Sequence, residues 1–143
     1  MNLSLIFAPL VGFFAIIFAI YLIRGLLLKS KGTAKMVDIS EAIKTGANAY
    51  LTRQFLVAGL FAVGITFALG FVLGYSVAIA FSLGAILSGL SAYIGMRVAI
   101  HMNSRTANAA FSSLNESLSV ATRSGTVVGI SLAGLGLLGV SSM

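Results

Sequence analysis

Three carboxylates and one imidazole, Asp38, Glu41, Glu116 and His101, are the chain's entire supply of groups suited to holding a hard metal ion or exchanging protons near neutral pH. A multi-metal phosphate site needs a cluster of carboxylates, and two of these three share one turn, Asp38-Ile39-Ser40-Glu41. His101 has no second imidazole and no cysteine at ligand spacing, so zinc is not expected; its place is at an interface beside Arg97. Gly134-Leu135-Gly136-Leu137-Leu138-Gly139 spells GxGxxG, but the dinucleotide fingerprint needs a strand before it, a helix after it and an acid further on. Here it ends an apolar segment, and nucleotide binding is not expected. Asn115-Glu116-Ser117 matches a glycosylation acceptor in a segment that the charge pattern puts on the cytoplasmic side. No residue of the chain is assigned a catalytic, cofactor-binding or metal-binding role.

The elements that carry these residues are set by hydropathy. Of 143 residues, 59% are apolar and 8% charged, against about 25% charged in soluble domains. Such a surface cannot keep a soluble monomer dispersed, and the composition describes an integral membrane protein. Every Lys, Arg, Asp and Glu falls within residues 24–53 or 97–123. The four uncharged stretches between and around these windows are long enough to cross ~30 Å of hydrocarbon, which takes ~20 helical residues. Backbone polar groups inside a bilayer must bond internally, so the spans are helices.

The expected fold is therefore all-α and polytopic: one region, 1–143, with spans at about 3–23, 55–74, 76–96 and 124–142. The second and third spans meet at Gly70-Phe71-Val72-Leu73-Gly74-Tyr75-Ser76, where two glycines and a Tyr-Ser pair predict a tight hairpin. Window 24–53 holds six basic residues against two acidic ones, and 97–123 holds three against one. Basic loops stay cytoplasmic, which places both termini and the hairpin outside. The basic residues are spread out without interleaved aromatics, so the charge reads as topology and not as nucleic-acid binding. Residues 1–30 lack a basic segment ahead of the apolar core and read as an uncleaved first span, with Pro9 tolerated near its outer end.

Both charged windows carry helical signals. Asp38-Ile39-Ser40-Glu41 fits an acidic capping box that opens a helix running to Gly74, about 55 Å at 1.5 Å per residue. Ala107, Phe111, Leu114, Leu118 and Ala121 trace a packing seam in the second window. The inner helices are thus expected to extend into the cytosol, with room for a site above the membrane. Small residues recur every four positions in Ala58-Ala62-Thr66-Gly70, Gly84-Ser88-Ala92 and Gly125-Gly129-Ala133, rows that let membrane helices approach closely. None of the spans carries an interior carboxylate, which argues against a self-sufficient ion carrier.

Three segments carry a family resemblance. Ser40-Glu41-Ala42-Ile43-Lys44-Thr45-Gly46-Ala47-Asn48-Ala49-Tyr50-Leu51-Thr52-Arg53-Gln54-Phe55 resembles the start of the second helix in membrane-bound, ion-translocating inorganic pyrophosphatases. So do Tyr93-Ile94-Gly95-Met96-Arg97-Val98-Ala99 with Asn103-Ser104-Arg105-Thr106, and Arg123-Ser124-Gly125-Thr126-Val127-Val128-Gly129, in the same order and spacing. The departures are small: Thr45 stands where Glu or Gln is common, and Met102-Asn103 where Ala-Asn is usual. The resemblance implies the N-terminal region of a homodimeric, many-helix pump of the cell membrane. Such a pump hydrolyses magnesium pyrophosphate at cytosolic helix ends and moves H+ or Na+, in some members with K+ involved. The family's aspartate cluster lies after the fourth helix, so no catalytic residue transfers, and the chain alone is expected to be inactive. Its partners are then the bilayer and the remaining helices of the pump. The competing reading is a stand-alone four-span adaptor or scaffold without catalysis.

Overall fold

A computed structural model describes the backbone of residues 3–141 and the side chains from Phe7 onward within them. Four helices account for nearly all of this length: α1 (Leu3–Leu27), α2 (Ala34–Val72), α3 (Tyr75–Ser112) and α4 (Leu114–Ser141). All four are long and apolar enough to cross a membrane, and the chain is an all-helical, multi-pass membrane protein. At 39 and 38 residues, α2 and α3 are each nearly 60 Å long at ~1.5 Å per residue. They overrun a ~30 Å hydrocarbon layer by several turns.

The helix ends are set by single residues. Gly74 adopts φ +98°, a left-handed value that glycine reaches without steric cost. With the Leu73 and Gly74 amides both bonded to the Leu69 carbonyl at 2.8 and 3.2 Å, it closes α2 into the expected hairpin. At the other end Ser113 separates α3 from α4. Its backbone is extended and its amide donates to the Ala109 carbonyl. Its hydroxyl accepts from the Glu116 amide at 3.1 Å, and its carbonyl accepts from the Ser117 amide. One residue thus ends one helix and caps the next.

Two local expectations change. The cap of α2 is Thr33, whose hydroxyl accepts from the Met36 amide at 3.4 Å, so the helix starts a turn before Asp38. Glu41 pairs with Lys44 at 3.1 Å instead of reaching back to a cap. The seam through Phe111, Leu114 and Leu118 does not form, because the break at Ser113 divides it between two helices and all three side chains are exposed. The row that packs is Ala109, Val120 and Val127.

In space the helices follow the order α1, α4, α3, α2: α4 packs on both α1 and α3, and α2 packs on α3 alone. The core lies where α1, α3 and α4 meet, through Ala19, Leu26, Val98, Met102, Ala109, Val120 and Val127. Helices α1 and α4 approach to backbone contact. A β-carbon on Gly134 would lie 3.0 Å from the Gly12 carbonyl oxygen, and one on Gly12 would lie 2.9 Å from that of Gly134. A β-carbon on Gly139 would meet Leu87 of α3 at 2.7 Å. Two glycines of the GxGxxG string are therefore helix-packing positions. Gly125 and Gly129, in the row expected to pack, have open space where a β-carbon would stand.

Candidate functional site

Both charged windows come together at one end of the bundle. The α1–α2 connection turns at Gly32, whose φ is +87° and whose amide bonds the Ser30 hydroxyl at 3.2 Å. A β-carbon there would collide with the Met36 sulfur and lie 3.0 Å from the Asn108 side chain of α3. The connection is thus pressed against α3, and only glycine fits the turn.

Arg105 fixes that contact. It is 6% exposed, and its Nε and Nη2 donate to the carbonyls of Lys29 and Leu27, both at 3.1 Å, while Nη1 donates to the His101 carbonyl at 2.7 Å. The last carbonyls of a helix have no partner within it, and a cation there also meets the negative end of the helix dipole. Arg105 therefore acts as a side-chain cap on the C-terminus of α1, delivered from α3. Burial lowers its pKa from the ordinary value, yet a guanidinium stays charged in proteins.

Two further links tie the same corner. Lys29 Nζ lies 3.0 Å from a Glu116 carboxylate oxygen at the start of α4, and the Ser117 hydroxyl donates to the Thr106 carbonyl at 3.1 Å. Beside them is a small niche between α2 and α3, to which Lys31, Ser40, Glu41, Lys44, His101 and Arg105 contribute. Lys44 is bound to Glu41 and Arg105 to its three carbonyls. His101 bonds the Arg97 carbonyl through Nδ1 at 2.8 Å, beside Arg97 as expected. Arg97 in turn bonds the Tyr93 hydroxyl at 2.9 Å, and Tyr93 packs edge-on against Phe55 of α2. These polar groups hold the cytosolic-type segments to one another.

Magnesium chemistry does not fit this set. Among the described residues no group of three or more His, Cys, Asp or Glu could hold a metal ion, and Glu41 and Glu116 are each neutralised by a lysine. No reaction step is derived through these carboxylates. The segments quoted for the resemblance do converge: those of α2 and α3 face each other through Phe55 and Tyr93, and that of α4 places Val127 in the core and Val128 against Gly95. The capping role of Arg105 had no local sequence signal. The cap at Ser113 did have one, since Ser113-Leu114-Asn115-Glu116 is itself an S-x-x-E string.

A family model for inorganic H+ pyrophosphatase matches residues 13–143. The chain is 40% identical, over 93% of its length, to a putative K+-stimulated pyrophosphate-energized sodium pump of Bacteroides thetaiotaomicron, of which it covers 19%. It is 39% identical, over 95% of its length, to a K+-insensitive pyrophosphate-energized proton pump of Methanosarcina mazei, of which it covers 21%. A second such proton pump, from Moorella thermoacetica, is 40% identical over 94% of the chain, with 20% of the relative covered. The chain spans about a fifth of the length of these relatives. No solved structure matches it.

Proposed function

Because the chain belongs to the inorganic H+ pyrophosphatase family, we propose that its four helices form the N-terminal transmembrane part of a pyrophosphate-driven ion pump. The observation that carries this reading is the match over residues 13–143, combined with a fold in which both charged windows meet at one end. In this reading the chain is a supporting flank. It catalyses nothing alone, and the Mg2+-assisted hydrolysis of pyrophosphate belongs to helices outside it. Relatives named as sodium and as proton pumps match it at nearly equal identity, which supports placing the groups that choose the ion, and any response to K+, elsewhere in the pump. The homodimer and the cell membrane are further parts of the proposal. So is the orientation, with the Arg105 corner in the cytosol and both termini outside, which rests on the basic excess of the two windows.

The test is pyrophosphate-driven ion uptake by inside-out membrane vesicles, with and without this chain. Uptake and hydrolysis are expected to be lost when the chain is deleted and restored when it is supplied. Full uptake in its absence would overturn the proposal.

A further inference from the structure

The surface of α3 divides by side-chain size. Ser88, Ala92, Ala99, Asn103, Ala107 and Ala110 recur at three- and four-residue spacing, which places them on one face of the helix, and all six are exposed. On one side this strip borders a groove against α2, to which Ala58 and Ala62 contribute. On the other side it borders a depression against α4, lined also by Ser117, Ala121 and Ser124. Elsewhere the exposed surface is bulky. Helix α1 turns Phe13, Phe14, Phe18 and Tyr21 outward, and α2 exposes Leu56, Leu60, Phe67 and Phe71.

We infer that this valley along α3 is the seat of a further transmembrane helix, supplied by the part of the pump that lies outside this chain. The inference rests on the proposed function and names the partner surface within it. Lipid tails gain nothing from small side chains, whereas a helix gains close van der Waals contact when small residues let the backbones approach. The valley is also too long for lipid alone. From Ser88 to Ala110 it runs roughly 33 Å at 1.5 Å per residue, and its last third lies alongside the Arg105 corner, beyond the apolar stretch. Its occupant must be a helix that, like α2 and α3, projects past the bilayer. Relatives about five times as long as this chain have such helices to offer. The bulky faces of α1 and α2 are left to the lipid.

The chain contains no cysteine, so Ala99→Cys, Ala107→Cys and Phe18→Cys each introduce one reporter into it. In the complete pump in native membranes, with cysteines of the other segments replaced, each is labelled with a maleimide-benzophenone and irradiated. Ala99→Cys and Ala107→Cys are expected to cross-link to a pump helix outside residues 1–143, and Phe18→Cys to lipid. Lipid adducts at Ala99 and Ala107, or links to a second copy of these four helices, would overturn the inference. Pyrophosphate hydrolysis is measured separately on the same membranes. Lost hydrolysis in the parent with the protein cross-links intact sinks the functional reading and upholds the seat, whereas normal hydrolysis with lipid adducts sinks the seat alone.

Discussion

Arg105 shows how one side chain can hold three helical segments in register. Its three donors satisfy carbonyls from the end of α1, the following connection and its own helix. Arg105→Met would leave the Leu27 and Lys29 carbonyls without their partner in a crowded corner. An unsatisfied buried group costs about 1–3 kcal/mol, so thermal unfolding of the purified chain in detergent should shift down measurably. Arg105→Lys should recover only part of this, because an ammonium cannot reproduce the planar fork. The neighbouring Lys29–Glu116 pair is solvent-exposed on both sides, and Glu116→Gln should cost no more than about 1 kcal/mol. Ser113→Ala, which removes a cap at the same corner, should cost about 0.5–2 kcal/mol. If Glu116→Gln proves as harmful as Arg105→Met in that assay, the corner is held by the ion pair and not by the carbonyl cap.

Among the elements, the existence of four helices was legible because charge and hydropathy alternate in blocks, and a bilayer permits little else. Their contacts were less so. Small residues at four-residue spacing occur on several faces, and the spacing alone does not say which face meets a neighbour. The row containing Gly129 looked like a packing surface, yet the backbones of α1 and α4 meet at Gly12 and Gly134, the latter hidden in a string that imitates a nucleotide fingerprint. The cap of α2 was misplaced for a similar reason: Asp38-x-x-Glu41 and Thr33-x-x-Met36 both offer oxygens to orphan amides, and the turn at Gly32 selects the earlier one. A direct comparison separates the two glycines. Gly134→Leu should destabilise the chain in detergent by roughly 1–3 kcal/mol through overpacking. Gly129→Leu has open space and should be neutral or gain up to about 1 kcal/mol from helix propensity. Equal losses at both positions would show that α4 packs in another register.

At the scale of the whole molecule, the two charged windows could be assigned to the same side from sequence, but the contact between them could not. That contact depends on Arg105 and Gly32, residues about seventy positions apart with no shared local pattern. Their convergence gives the molecule one charged end and one uncharged end, the hairpin at Gly74. Carrying nine basic residues through hydrocarbon is opposed at every step, since each costs about 2.5–3.5 kcal/mol at a helix centre. Insertion should therefore keep the Arg105 corner in the cytosol and pass the hairpin across. Ser76→Cys and Asn115→Cys report on the two ends separately: Ser76 follows Gly74 at the start of α3, and Asn115 opens α4 near Lys29 and Glu116. In intact cells an impermeant maleimide is expected to label Ser76→Cys at once and Asn115→Cys only after permeabilisation. The opposite order would invert the chain in the membrane and remove the orientation from the proposed function, while leaving the packing of the four helices as it stands.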